Sequence, residues 1–196
     1  MRASDSRSKG CGAASVLLGA AFFIGVGGAS GGEIESVGPD VTELAAADDL
    51  LYETFEEDFP GDLWRVEHPL TAADVKWGQT DYRASEGRFS IYCAGMGGAA
   101  PGDGGPAPAT TASWAFAGPY DLSETTAATL TFDLWLRTEQ FRDVFMWLVS
   151  TDGESFSGSA KSTDTNGWQT VTTDLENWGA AGSVIGEDRV WVAFVY

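Results

Sequence analysis

The sequence predicts an all-β protein, and three features of residues 51–196 indicate this fold class. Short runs of aromatic and β-branched residues recur along this part of the chain. Gly, Asp, Asn, Ser and Pro separate the runs, as expected for strands joined by turns. No stretch sustains the helical spacing of apolar residues for three turns. Several short strands joined by turns favour a β-sandwich or a β-barrel.

Nine strands are predicted from these runs. They cover residues 51–59, 63–67, 74–78, 87–93, 111–117, 128–137, 143–151, 167–174 and 188–196. Between the seventh and the eighth, the pair Asp152-Gly153 is typical of a tight turn. Residues 94–110, rich in Gly and Pro, are predicted to be a long surface loop.

Alternation is clearest in the run TLTFDLWLR, where four apolar side chains face one way. The opposite face carries Thr131, Asp133, Trp135 and Arg137. The last run, RVWVAFVY, alternates in the same way up to Tyr196 and is followed by no polar residues. We expect the sequence to be a fragment whose final strand or strands are missing.

The chain before residue 51 has a different pattern. Arg2, Arg7 and Lys9 precede an uncharged run with an apolar centre, AASVLLGAAFFIGVGG, which is the order of a secretory signal peptide. We therefore predict a signal peptide over 1–30, a flexible acidic linker over 31–50 with one loose helical turn near its end, and a β-sandwich domain over 51–196. A retained membrane anchor is the alternative for the first segment.

Charge and composition limit the function further. The net charge of −18 repels phosphate backbones and anionic lipids, so nucleic acid is a poor partner. Divalent cations are suitable partners, although solubility or a salty medium also explains the acidity. A single histidine, His68, excludes an HExxH zinc site. Cys93 loses its only possible disulfide partner if the signal peptide is removed, and its strand pattern predicts a buried side chain.

Five segments carry a resemblance to a known family. These are WGQTDYRASEGRFSIYCAG, GPYDLSETTAATLTFDLWLRTE, DVFMWLVSTDGESF, GWQTVTTDLENW and VWVAFVY, in this order. Together they resemble jelly-roll modules of secreted bacterial proteins, namely the accessory domain of immune-inhibitor-A-type peptidases and the cleaved-adhesin and choice-of-anchor domains, and more distantly MAM domains. The resemblance implies a jelly-roll antiparallel β-sandwich that continues beyond this sequence into a closing strand.

The same resemblance suggests a structural calcium ion. Four acids lie on or after the first predicted strand, in YETFEEDF: Glu53, Glu56, Glu57 and Asp58. In the related jelly rolls the first and last strands meet, so an Asp pair on the missing strand would complete a cage of oxygen ligands. The alternative is a solvated acidic edge strand that discourages aggregation.

Eight tryptophans raise the question of a ligand-binding face. Aromatic rings bind sugars and peptides by stacking, although tryptophan at alternating strand positions is more often part of the core. The best candidates are Trp135, with Asp133 and Arg137 on its face of the strand, and Trp147.

The function expected from the sequence is a secreted, non-catalytic β-sandwich module that binds an extracellular glycan or protein, or an accessory domain of a larger secreted protein. After signal cleavage no membrane insertion is expected. The alternatives are the N-terminal part of a secreted hydrolase whose catalytic domain lies beyond Tyr196, and a lectin-like glycan-binding module.

Overall fold

A computed structural model describes residues 15–27, 48–68, 74–102, 104–109, 111–139, 142–179 and 182–196, with the backbone alone for 15–27 and 48–50. Eleven strands lie in these residues. They are β1 (Ser15–Gly27), β2 (Asp48–Glu53), β3 (Trp64–Glu67), β4 (Lys76–Thr80), β5 (Ser90–Met96), β6 (Trp114–Tyr120), β7 (Ala127–Arg137), β8 (Phe145–Ser150), β9 (Ser157–Lys161), β10 (Gln169–Asp174) and β11 (Val190–Val195).

The strands form two sheets. One has six strands in the order β10-β7-β1-β5-β4, with β2 also paired to β1, and the other has the order β3-β6-β11-β8-β9. Every pairing between the described strands is antiparallel. The predicted all-β, antiparallel β-sandwich is therefore confirmed.

Aromatic rings from both sheets fill the space between them. The Phe132 ring on β7 meets the Phe194 ring on β11 edge to face, with centroids 5.0 Å apart. Phe145 on β8 stacks on Phe194 at 5.9 Å and meets the Trp77 ring of β4 at 6.3 Å. All four side chains are at most 1% exposed, so these contacts form the dry centre of the sandwich.

A buried serine joins the two sheets by hydrogen bonds. The Trp77 backbone N–H on β4 donates to Ser113 Oγ at 2.8 Å, and Trp77 Nε1 donates to the Ser113 carbonyl at 3.0 Å. Ser113 in turn exchanges two backbone hydrogen bonds with Tyr196 at the end of β11. These bonds satisfy polar groups that burial would otherwise leave without partners.

The nine predicted strands are all present, with ends shifted by a few residues. The first predicted strand, 51–59, is the clearest case: β2 ends at Glu53, and the chain from Thr54 to Pro60 is irregular. Two strands were not predicted, β1 and β9, and the sequence of β9, SGSAK, has no alternating apolar residues. Strand β9 lies at the edge of the five-stranded sheet, where little apolar surface needs to be buried.

Residues 15–27, expected in the apolar part of a signal peptide, form β1 inside the six-stranded sheet. An apolar run of this length suits either role, because a strand paired on both sides is also continuously apolar. The rest of the predicted signal peptide and most of the linker, including residues 42–47 of its predicted helical turn, lie outside the described residues. The last part of that turn, residues 48–50, is strand. Within the described part of the chain, no helix has the length and apolarity needed to cross a membrane.

Strand β5 is buried on both faces. Ile91 and Cys93 are 0% exposed, as predicted for the inner face, but Ser90 and Tyr92 on the other face are buried as well. The reason lies in the glycine-rich loop, which folds back so that the Tyr92 hydroxyl donates to the Gly105 carbonyl at 2.8 Å. Cys93 is confirmed as a core residue.

Candidate ligand-binding site

The outer face of the five-stranded sheet is unusually apolar. Alternation along β6 and β11 puts one set of side chains into the core between the sheets, and the other set on the outside. The outward set forms a second apolar cluster of Trp114, Phe116, Met146, Leu148, Phe156, Ala193 and Val195. The outer face of an antiparallel sandwich is normally polar, so this cluster is the candidate for a binding surface.

Three rings cover the small residues of this cluster. Trp114 and Phe116 stack with centroids 5.3 Å apart and planes inclined by 20°. Phe156 meets both of them, at 5.8 Å and 5.5 Å. Beneath the rings Ala193 and Val195 are buried, whereas the rings themselves are half-buried and present apolar surface to solvent. We call Trp114, Phe116, Phe156 and the neighbouring Trp191 the aromatic face.

A cleft of about 410 Å³ opens at one end of the aromatic face. The turn before β3 and the turn between β8 and β9 form its two sides, and Phe116 and Trp191 form part of its floor. Its lining also carries charged side chains that can form hydrogen bonds with a ligand: Asp62, Arg65, Asp152 and Glu154. The cleft therefore combines aromatic surface with a polar rim, as ligand sites commonly do.

Two glycines leave room for the Trp191 ring. A side chain at Gly153 would lie 3.3 Å from the ring, and one at Gly118 would lie 3.3 Å from its Cδ1 and 2.7 Å from the Val190 carbonyl oxygen. Both have positive φ, +75° and +120°, a backbone conformation that glycine adopts without strain. Gly118 in β6 and Gly153 in the turn after β8 thus leave the space that the Trp191 ring occupies.

Cation–π contacts hold the two floor rings in place. The Arg65 guanidinium lies 4.7 Å from the Phe116 centroid, and the Arg189 guanidinium lies 4.8 Å from that of Trp191. Arg65 is also bonded to Glu67, with Nε 3.0 Å from the carboxylate. The charge of Arg65 is thus partly neutralised by Glu67.

The turn between β8 and β9 is built around Asp152. Its Oδ1 accepts the backbone N–H groups of Glu154 at 2.8 Å and Ser155 at 2.7 Å, and the hydroxyl of Ser150 at 2.8 Å. The N–H groups of Ser155 and Glu154 hold the pKa of the Asp152 carboxyl well below its usual range. Asp152 and Gly153 lie in the connection between β8 and β9 as predicted, but this connection spans residues 151–156 and is longer than a tight two-residue turn.

The ligand-binding residues predicted from sequence lie mostly on the other sheet. Asp133, Trp135 and Arg137 share the outer face of β7, as their spacing predicts. Trp135 and Arg137 line a smaller cleft of about 330 Å³. However, the Arg83 guanidinium lies only 3.7 Å from the Trp135 centroid, and Asp133 accepts the Thr170 hydroxyl at 2.7 Å. Contacts within the chain therefore use part of this surface.

Trp147 is not brought to the Trp135 face. It lies on β8 and points into the sandwich, where its ring stacks on Phe145 and meets Phe132 edge to face at 5.8 Å. Its Nε1 donates to Thr173 Oγ1 on β10 at 3.1 Å. Trp147 thus joins β8 of one sheet to β10 of the other.

Of the four acids expected to hold calcium, Glu53 and Glu56 each form hydrogen bonds with different parts of the chain. The two carboxylate oxygens of Glu53 accept the Phe55 N–H at 2.7 Å and Trp64 Nε1 at 3.1 Å. Glu56 Oε1 accepts the backbone N–H groups of Arg88 and Phe89 at 2.8 Å and 2.9 Å. Glu57 and Asp58 are exposed side chains in the loop that follows β2.

The contacts of Glu56 also explain the shift of its pKa. The N–H groups of Phe89 and Arg88 lower the pKa of its carboxyl. Within the described residues, no group of three or more His, Cys, Asp or Glu side chains is placed to hold a metal ion. Glu53 and Glu56 bind donors of their own chain, and the calcium site stays a prediction.

The aromatic face was missed in the sequence because its tryptophans were interpreted as core. A usable signal was present. In WAFAGPY the two large rings alternate with alanines, and in VWVAFV the tryptophan lies opposite the valines that face the core. When one face of a strand already has the apolar residues of the core, large rings on its other face indicate an apolar outer surface.

Comparison of this chain with protein-family models, with curated proteins and with solved structures finds no match.

Proposed function

We propose that this chain is a secreted, non-catalytic binding module, and that the cleft on the aromatic face is its ligand site. The observation that carries this proposal is the half-buried set of Trp114, Phe116, Phe156 and Trp191 beside a polar-rimmed cleft. Maintaining apolar rings in contact with water has no benefit for folding, whereas a ligand that covers them gains stacking and burial.

A neutral glycan is the ligand class that suits the site best. Sugar rings offer apolar C–H faces to aromatic rings and hydroxyl groups to a polar rim, here Asp62, Arg65 and Glu154. The chain's net charge of −18 opposes anionic ligands at long range. The same charge has little effect on a neutral oligosaccharide.

Side chains of the cleft support binding rather than catalysis. A glycosidase needs a carboxylic acid that keeps its proton near neutral pH. The turn amides instead hold Asp152 in its ionised form. The only histidine, His68, lies 3.5 Å from Asp74, and neither residue lines the cleft.

The test is calorimetric titration with a panel of neutral oligosaccharides. We expect Trp191→Ala to weaken binding of any ligand found by at least about tenfold, which is the effect of losing a stacking residue worth about 1.4 kcal/mol or more. Trp135→Ala is the matched control, since it removes an outward tryptophan from the opposite sheet. Arg65→Gln tests the rim without removing a ring.

The proposal fails if Trp135→Ala abolishes binding while Trp191→Ala leaves it intact. It also fails if no glycan of the panel binds and the aromatic face instead binds a protein. Melting temperatures of all variants are measured alongside, so that unfolding is not mistaken for loss of a contact.

A further inference from the structure

Strand β1 occupies a position between two parts of the six-stranded sheet. On one side it pairs with β7 from Ser15↔Arg137 to Gly27↔Ala127. On the other side its first half pairs with β5, at Leu17↔Tyr92 and Leu18↔Ile91, and its second half pairs with β2. Among the described strands, β1 alone connects β7 and β10 to β5, β4 and β2.

The edges on either side of β1 are long and buried. Strand β7 spans eleven residues and places Leu130, Phe132, Leu134 and Leu136 in the core with at most 1% exposure. Without β1, its backbone N–H and C=O groups on that side would lose their partners next to this core, as would those of β5. Such groups are costly to leave unpaired, so the slot between β7 and β5 strongly favours an extended strand.

The pairing of β1 is also interrupted. Its register with β7 shifts between Gly19 and Phe23, and its register with β2 shifts between Ile24 and Gly25. A strand with bulges in both ladders makes fewer regular hydrogen bonds than its length allows. The sequence SVLLGAAFFIGVG is uncharged throughout, which is typical of a strand paired on both sides.

We propose that the slot between β7 and the β2/β5 edge is a strand-acceptor site for one extended apolar segment, and that residues 15–27 are its exchangeable occupant. The interrupted ladder lets the segment leave, because fewer regular hydrogen bonds hold it in the slot than its length allows. The same residues have the pattern of a signal peptide. The segment is therefore either removed by cleavage near Ser30 or retained in the slot.

A nicked form of the full chain tests the proposal. A site for a specific protease is inserted after Pro39, the folded chain is cut, and gel filtration reports whether the N-terminal fragment stays bound. The nicked protein is then incubated without denaturant with an excess of a fluorescent peptide of residues 14–28 that carries a lysine tail for solubility. The matched control is the same peptide with Leu18→Pro, because Leu18 pairs on both sides and proline cannot donate to the ladder.

We expect the cut fragment to co-elute with the domain, and the unmodified peptide to be incorporated at least about tenfold more than the Leu18→Pro peptide. Three results would overturn the proposal. They are release of the fragment with no fall in melting temperature, equal incorporation of the two peptides, and retention of the fragment with incorporation of neither. Because the readout does not depend on a glycan, this test is independent of the proposed ligand site.

Discussion

At the scale of single residues, Phe55 shows how side chains stabilise an unfavourable backbone. Its φ of +59° is rare for a bulky residue, and its ring is only 2% exposed. Glu53 Oε1 accepts its N–H at 2.7 Å, and Gln79 Nε2 donates to its carbonyl at 2.7 Å. The ring packs against Phe59 and Trp64 at about 6 Å. Glu53 therefore has a structural role that its position in an acidic segment does not reveal.

We predict that Glu53→Ala lowers the free energy of unfolding by about 1–3 kcal/mol, because the Phe55 N–H and Trp64 Nε1 lose their acceptor. Urea unfolding followed by tryptophan fluorescence measures the change. The exposed Glu57→Ala is the control and is expected to stay within about 0.5 kcal/mol of the parent chain. Equal losses for both variants would refute the role of Glu53. Stabilisation by millimolar calcium that only Glu53→Ala abolishes would instead support the predicted calcium site.

At the scale of elements, the turn between β8 and β9 links stability to pH. Amide hydrogen bonds lower the pKa of Asp152 in the folded chain, and those of Glu56 and Asp121 are lowered as well. For such groups the stabilisation is present above the pKa of the unfolded chain, about 4, and is lost as the pH falls through the folded value. Acid should therefore destabilise the folded chain below about pH 4.

The variant Asp152→Asn tests this dependence. An amide oxygen still accepts the Glu154 and Ser155 N–H groups but carries no charge, so those bonds weaken. We expect a lower urea midpoint than the parent chain at pH 7, and a smaller fall of that midpoint between pH 5 and pH 2.5. Parallel curves for the two proteins would mean that Asp152 does not contribute to the acid limb.

Some strands could be predicted from the sequence, and others could not. The alternation of β7 and β11 was predicted correctly because each has one face in the core and one outside. Two strands were not predicted, for opposite reasons. The small polar residues of β9 carry no periodic signal, and the apolar run of β1 fits a signal peptide and a buried strand equally well. The jelly-roll topology and the family resemblance stay predictions.

The candidate sites were harder to predict than the strands. Asp133, Trp135 and Arg137 do share one face, since strand alternation alone determines that. The contact of Arg83 with Trp135 joins residues 52 positions apart, and no local pattern indicates it. The aromatic face likewise depends on which side of β6 and β11 meets the second sheet, which is decided by the packing of the whole sandwich.

At the scale of the whole molecule, the two sheets differ in their outer surfaces. The outer face of β7 and β10 is polar, with Thr131 bonded to Thr172 and Asp133 bonded to Thr170. The outer face of the five-stranded sheet is apolar and aromatic. Since a β-sandwich fold does not itself determine function, this asymmetry is the main support for placing ligand binding on one particular face.

The most direct test of that claim is to locate the ligand on the folded chain. Hydroxyl-radical footprinting, read out by mass spectrometry, compares the oxidation of each tryptophan with and without the oligosaccharide that binds best in the calorimetric panel. Our account predicts protection of Trp114 and Trp191, with no change at Trp135. Protection of Trp135 with Trp114 and Trp191 unchanged would contradict it, and would move the binding site to the six-stranded sheet.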